Sequence, residues 1–562
     1  MELFLLHSPV SVLKLYFVYE CVIIHEFEIK KRILPFIDRV SGKRNNIKTK
    51  IKSWCIMQGR TAKSIRNIIF AVSGQLLGTV ASLVSRSVFL IYLDDTYLGL
   101  STLFASILTI LSIVELGVGP ALSYSLYKPL AENDKEKIKS LMAFYKKAYR
   151  IIGATILVLG LAMLPFYRSL LKAEDIPNIQ NLDLIFYLYV LNTGISYFYS
   201  YKKSLIICDQ NQYITTIYRY GFFILLQIVQ IGILAITGNF VIFLVAQIVF
   251  TWLENFVVSL RADKLYPYLK EKNVAPIDKG EFSGIKRNIG AMVIHKVVGA
   301  GVTSLPSILI SKLINIVTVG IYSNYLLITN ALQNVLAKLF EAILAGVGNL
   351  NATKDYKRLT LVHNCMFLLN FWIYGFFSIA LMCMFNPFIS VWIGSDYLFD
   401  RGTVFVIVLN FYIYGMRRTL FTFKDATGTF WNDRYRPIAE LVINLGASTL
   451  LGMKFGLIGI LGGNIISTIA TAWVEPLVVY RHVLHEKLWK FFARYGIYTA
   501  IGVAAYFLTD LVLLKPETVT VSSVVINILI CCAVPNVIFL LSFMFTPEFK
   551  YCAGFVFRKK NR

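Results

Sequence analysis

From Ser64 onward, apolar stretches of bilayer-spanning length recur along the chain with short polar loops between them, which leaves few folds open to it. Hydrocarbon offers no hydrogen-bond partners, so the backbone N–H and C=O groups of each stretch must pair within it, as an α-helix does. The stretches fall near 67–92, 98–126, 148–171, 182–206, 213–236, 240–260, 289–311, 316–347, 361–385, 402–423, 436–453, 456–480, 492–513 and 521–546. The expectation is an all-α integral membrane protein of about fourteen transmembrane helices. Composition agrees: the chain is 57% hydrophobic and 16% charged, with mean hydropathy +0.64, whereas soluble domains are near 25% charged. In water that apolar surface would aggregate; lipid covers it.

The net charge of +24 raises the question of nucleic acid, and the positions of the basic residues answer it. They sit in loops between apolar runs, as membrane topology requires. Loops 127–150 and 261–288 each carry seven basic residues, among them Lys135, Lys137, Lys139, Lys270, Lys286 and Arg287. The alternate turns hold few: Asp94 and Asp95 with no base, Arg168 and Lys172, Thr237-Gly238-Asn239, Lys312, Arg401, Lys454, Lys515. Cytoplasmic loops collect Lys and Arg, so the first set faces inward. Every second loop on one side requires an even helix count, with the start of the first span and the tail Arg558-Lys559-Lys560 both cytoplasmic.

Residues 1–59 stand apart as an N-terminal extension. An apolar opening interrupted by His7, Lys14 and Glu20 runs into a basic stretch with Lys30, Lys31, Arg32, Lys43 and Arg44. It lacks the basic n-region and cleavage site of a signal peptide. It reads either as a membrane-surface segment or as sequence ahead of a true start at Met57. The eight cysteines, at 21, 55, 208, 365, 383, 531, 532 and 552, have no metal-type spacing, and buried free thiols are expected. No GxSxG, HExxH, P-loop or Cys/His cluster occurs. No catalytic residue, metal or cofactor is predicted, and the chain reads as a transporter rather than an enzyme.

A repeat at an offset of 221 residues aligns Gly99 with Gly320, Ala131 with Ala352 and Asp134 with Asp355. An offset of six helices keeps both copies in one orientation, as two parallel lobes require. This predicts two pseudo-symmetric lobes around a central cavity: 60–288 with helices 1–6, 289–490 with helices 7–12, then 491–562 with two extra helices and a basic tail.

An ionisable group at the centre of a span costs at least ~2.5–3.5 kcal/mol, so each is a clue. Arg86, in Ser85-Arg86-Ser87, either snorkels or pairs with a carboxylate such as Glu115, or forms an anion site facing a water-filled cavity. Glu115 precedes Gly117, Gly119 and Pro120, where a helix can bend; a structural ion pair and a coupling-ion site both fit it. Lys338 and Glu341, three apart on one helix, can neutralise each other. Lys296 and His295 lie near a cytoplasmic end, where the lysine can snorkel. Glu254 and Glu475-Pro476 either line the cavity or brace a kink. Tyrosines such as those of Tyr197-Phe198-Tyr199-Ser200-Tyr201 suit the interfacial belt.

Particular stretches resemble the polysaccharide or O-antigen (Wzx-type) flippase family of the MOP superfamily, from about Ser64 to Phe492. They are Ser85-Arg86, Tyr97-Leu98-Gly99-Leu100, Glu115-Leu116-Gly117-Val118-Gly119 and Tyr127-Lys128-Pro129-Leu130-Ala131-Glu132-Asn133-Asp134. Further on come Val319-Gly320-Ile321-Tyr322-Ser323-Asn324-Tyr325, Val347-Gly348-Asn349-Leu350-Asn351-Ala352, and Phe423-Lys424-Asp425-Ala426-Thr427-Gly428 with Trp431 and Asp433-Arg434-Tyr435. The resemblance implies a two-lobed bundle with a cationic cavity that moves an undecaprenyl-diphosphate-linked oligosaccharide outward across the bacterial cytoplasmic membrane by alternating access. Arg86, Lys296 and Lys338 would then serve the anion, and Glu115, Glu254 and Glu341 would be coupling or structural acids, the coupling ion being H+ or Na+. Leu305-Pro306-Ser307 departs from the family's acidic-amide pair in the seventh span. Three other readings stay open: a cation-coupled drug exporter of the same superfamily, a flippase for a peptidoglycan lipid precursor, and a membrane-embedded glycan polymerase or transferase.

Overall fold

The computed structural model describes residues 45–112, 115, 118–176, 179–271, 274, 276, 298–352, 355–516 and 518–557. The expectations for residues 1–44, Lys286, Arg287, His295, Lys296 and the tail Arg558-Lys559-Lys560 lie outside the described residues. Of the first contact unit, Met1–Arg66, the described part is the helical backbone from Asn45. The bundle, its core and its cavity belong to the second unit, Asn67–Arg562.

The described elements are helical, as a chain surrounded by hydrocarbon must be. Helix α1 (Asn45–Tyr92) is followed by α2 (Asp95–Leu111), α3 (Val118–Glu132), α4 (Lys135–Ala162), α5 (Leu182–Cys208), α6 (Gln212–Thr237) and α7 (Phe240–Leu265). Then come α8 (Val298–Leu313), α9 (Ile316–Ala352), α10 (Tyr356–Trp392), α11 (Arg401–Met416), α12 (Arg418–Thr427) and α13 (Arg436–Thr471). The last are α14 (Val474–Val478), α15 (Trp489–Val512), α16 (Val521–Phe543) and α17 (Pro547–Phe557). Among the described residues, nine helical stretches are long and apolar enough to cross a membrane. Helices α2 and α8 are shorter, while α4 and α5 dilute their apolar runs with lysines and tyrosines.

Helical length decides the count. The run Arg436–Leu484 holds 49 residues, about 74 Å at 1.5 Å per residue, more than twice the ~30 Å hydrocarbon core. At Gly456 the backbone leaves the helix, with φ 58° and ψ −134°, a conformation that essentially only glycine adopts. The run therefore crosses twice, at the division expected between 453 and 456. With α2–α3 and α11–α12 each taken as one crossing, the described helices make fourteen. The second span, expected as one helix over 98–126, is instead two helices, α2 and α3, with Glu115 in a turn between them. The glycines and proline around Glu115 supply the reason, since they weaken a helix interior. Ile91, Ile236 and Leu511 are among many large apolar side chains left exposed, a surface for lipid.

The repeat is visible in geometry. A Cβ on Gly99 would stand 2.0 Å from the carbonyl oxygen of Ile316, and one on Gly320 would stand 2.5 Å from that of Asp95. Each glycine thus meets the carbonyl four residues upstream of the other, a reciprocal contact of the kind that a two-fold relation between α2 and α9 produces. Bare backbones let helices approach this closely. Asp134 caps α4 by accepting from the Lys137 N–H, and Asp355 caps α10 by accepting from the Arg358 N–H, the same role 221 residues apart. Near this crossing Asp175 accepts from the Ile316 N–H at 2.9 Å, Asp95 accepts from Tyr397, and the Trp392 indole donates to the Leu83 carbonyl at 3.3 Å.

Helices α15 to α17 dock on α10. Trp372 donates to Asn536 at 2.7 Å, Phe371 packs against Phe539 and Tyr498, and Arg494 pairs with Asn364 and Glu548. Cys208, Cys365, Cys383, Cys531, Cys532 and Cys552 are free; Cys208, Cys365 and Cys531 are buried and Cys532 is exposed. The buried-thiol expectation therefore fails at Cys532, because its neighbour Cys531 takes the face of α16 turned toward α10.

Candidate functional site

Two cavity limbs, about 400 and 600 Å³, meet at a fork formed by Ser82, Arg86, Leu98, Ser101, Arg219 and Phe223. The smaller limb runs into the first half of the bundle between α5, α6 and α7. The larger runs between the halves, against α8 and α9. The α2–α9 crossing brings the halves together, and its glycines allow the contact; the fork lies beside it, since Leu98 and Ser101 flank Gly99 and Ser323 follows Gly320.

At the fork Arg86 donates to Ser323 Oγ at 2.7 Å and to Asn324 Oδ1 at 3.2 Å. Both acceptors are neutral. Among the described residues Arg86 has no carboxylate partner; the pairing with Glu115 does not form, because Glu115 accepts instead from the Tyr197 hydroxyl at 3.1 Å. The Nδ2 of Asn324 is buried with no partner, an unspent donor beside the guanidinium. Arg219, seven residues after α6 is entered, lies 5.7 Å over the Tyr220 ring and likewise has no acidic partner among the described residues. The Tyr220 hydroxyl donates to Gln75 on α1 at 2.9 Å, which fixes this turn of α6 against the helix that carries Arg86. Two guanidiniums with no acidic partner among the described residues thus line one partly enclosed space, and each offers a planar fork of donors.

Glu254 lines the smaller limb and is paired with Lys203 of α5 at 2.8 Å. Lys338 and Glu341 pair with each other at 2.8 Å, partly exposed, and neither lines the two limbs. Glu115 also lies off both limbs, between Tyr197 and Gly119 at the break between α2 and α3. Lys296 is outside the described residues.

Glu475 is fully buried, away from both limbs. Arg417 donates to it at 2.9 Å and to Glu440 at 2.8 Å. Arg436 reaches Glu475 at 3.0 Å and also pairs with Glu440, and Lys424 pairs with Asp433. Three cations and three anions thus neutralise one another inside the second half.

Sequence reasoning missed Arg219 and this network. The 221-residue offset could have found both, because it continues past the positions first aligned: Lys203 falls on Lys424, Arg219 on Glu440, Trp252 on Trp473 and Glu254 on Glu475. It also aligns Arg86 with Ser307, a buried hydroxyl on the larger limb. Arg219 lies near the start of its helix, where a long cationic side chain can also snorkel.

No protein-family model matches the chain, and no curated protein matches it. Solved structures do. The inward closed conformation of the lipid II flippase MurJ is 14% identical, with a TM-score of 0.62 over 85% of this chain and 99% of that one. An inward-facing multidrug resistance MATE family transporter of the MOP superfamily is 16% identical, with a TM-score of 0.56 over 72% of this chain and 97% of the other. A MOP superfamily transporter from Pyrococcus furiosus Vc1, described as having a binding pocket of reverse polarity, is 16% identical with a TM-score of 0.53 over 76% and 97%. At these identities the likeness concerns architecture: this multi-pass membrane chain has the all-helical fold shared by MATE and MurJ transporters of the MOP superfamily.

Proposed function

We propose that this chain is a flippase that moves an undecaprenyl-diphosphate-linked oligosaccharide outward across the bacterial cytoplasmic membrane by alternating access, for surface polysaccharide assembly. The observation that carries the reading is the fork, where Arg86 and Arg219 line one cavity with no acidic partner among the described residues. A diphosphate cannot cross hydrocarbon unaided, and paired guanidiniums hold phosphate oxygens by charge-assisted, two-point hydrogen bonds. The polyprenyl tail stays in lipid while the headgroup occupies the cavity. A cavity for cationic drugs would present the opposite charge at its centre.

In this reading the basic loops 127–150 and 261–288 and both termini are cytoplasmic, in keeping with the loop charges. The α2–α9 crossing then seals the outer side, and the cavity is loaded from within. Lys296 and Lys338 are secondary cations for the headgroup's entry, and Glu115, Glu254 and Glu341 are the acids to test for H+ or Na+ coupling.

The test is flipping of a fluorescent polyprenyl diphosphate saccharide in proteoliposomes. Arg86→Ala and Arg219→Ala each lower the rate at least tenfold with unchanged protein level, since one charge-assisted hydrogen bond is worth about 1.5–3 kcal/mol. Arg86→Lys recovers part of it, because an ammonium keeps the charge and loses the planar grip. Normal flipping by Arg86→Ala, or export of cationic drugs instead of the lipid, overturns the reading.

A further inference from the structure

Both limbs hold carboxamides that make no hydrogen bond among the described residues, but Asn330 and Asn334 of the larger are exposed, whereas Gln227 and Gln247 of the smaller are partly enclosed beside phenyl rings. In the larger limb, Ser106, Thr109 and Thr303 donate to carbonyls four residues back on their own helices, and Ser323 donates to the Gly320 carbonyl. Its Gln75 already binds Tyr220 and Thr79. In the smaller limb Gln227 and Gln247 make no hydrogen bond among the described residues, and both are only partly exposed. They project from α6 and α7 beside Phe222, Phe223 and Phe250. An unspent carboxamide offers two donors and an acceptor, and an aromatic face next to it supplies an apolar platform. Amides beside phenyl rings suit a sugar ring, whose edge is hydroxylated and whose faces carry C–H groups.

The equivalent positions of the other half are spent on one another. Where the first half has Arg219 and the Lys203–Glu254 pair around an open limb, the second has Glu440 and Glu475 paired with Arg417 and Arg436, and Lys424 paired with Asp433. Arg86 and Arg219 line this limb as well as the larger one.

We infer that the limb between α5, α6 and α7 is a saccharide subsite, in which Gln227 and Gln247 hydrogen-bond the sugar attached to the diphosphate and Phe222 and Phe250 flank its ring. This rests on the flippase reading and names where that reading's headgroup is recognised. A site built to hydrogen-bond a hydroxyl loses its pairing when the hydroxyl is absent, so these residues set which lipid is accepted.

The experiment measures binding of two short-chain lipids to purified full-length protein in micelles: a bare polyprenyl diphosphate, and the same lipid carrying one acetamidohexose. Wild type binds the glycosylated lipid at least tenfold more tightly. Gln227→Ala with Gln247→Ala brings its affinity down to that of the bare lipid, and retained binding of the bare lipid reports that the variant is folded. If that variant does not fold, Gln227→Asn and Gln247→Asn, which keep the amide and shorten its reach, each give an intermediate margin. Equal binding of both lipids by wild type, or a wild-type margin in the Asn variants, overturns the subsite. A sugar-dependent loss in Asn330→Ala with Asn334→Ala instead assigns the sugar to the larger limb and also overturns it. If wild type binds neither lipid, the flippase reading itself fails.

Discussion

The same register of the repeat carries charge in both halves, with opposite outcomes. In the first half, Arg219 and the Lys203–Glu254 pair border an open cavity, and Arg219 and Arg86 have no counter-charge among the described residues. In the second, Glu440, Lys424 and Glu475 are enclosed with Arg417, Arg436 and Asp433 until every charge has a partner. The difference teaches that an ionisable residue in a span indicates a ligand only when its neighbourhood leaves it uncompensated. Buried and paired, such a residue braces helices; here the network joins α11 through α14 across a region interrupted by short helices and turns. A buried pair contributes little net stability by itself, yet removing one member leaves the other stranded.

That contrast can be broken by substitution, and the largest effect falls on the network. Arg417→Met leaves Glu440 and Glu475 to share Arg436 alone and lowers stability by about 3–5 kcal/mol, seen as a strong drop in thermal midpoint and folded yield in detergent. Arg86→Met, removing a guanidinium that binds only Ser323 and Asn324, leaves the midpoint near wild type. Equal losses from the two variants would erase the distinction.

A second effect sharpens the relation between the halves. Gly99→Val drives side-chain carbons into the Ile316 carbonyl, 2.0 Å from where its Cβ would stand, so α2 and α9 must separate. Overpacking of this kind costs about 1–3 kcal/mol, and the cavity should become reachable from the Asp95 side. A cysteine placed at Ser101 in the Gly99→Val background should then react with an impermeant reagent applied outside cells, and silence there would argue against closure at this crossing.

The smallest effect concerns Lys338. Its pair with Glu341 is partly exposed and three residues apart on one helix, an arrangement worth about 0–1 kcal/mol. Lys338→Ala should change flipping and thermal midpoint only slightly; a large loss of flipping would add Lys338 to the anion site.

Much of this molecule is legible in the sequence. The spacing of apolar runs determined the all-helical membrane class and bounds such as 182–206, 213–236 and 316–347, because a bilayer leaves each span no partner but itself; the span expected at 148–171 is instead the helix Lys135–Ala162. Gly456 lies at the boundary the sequence indicates, and the Gly99/Gly320 and Asp134/Asp355 correspondences turned out to be a shared contact and a shared cap. Arg86 stood out as a charge in an apolar run, and Glu115 as an acid at a weak point in a helix. What local sequence could not decide was compensation. Whether Arg86 meets Glu115 or Ser323, whether Glu475 faces a cavity or Arg417, and whether Arg219 snorkels or joins Arg86 depend on residues tens to hundreds of positions away. Only tertiary packing brings those partners within the few ångströms over which hydrogen bonds and ion pairs act, and it is packing that leaves Arg86 and Arg219 without an acidic partner among the described residues and neutralises Arg417, Arg436 and Lys424.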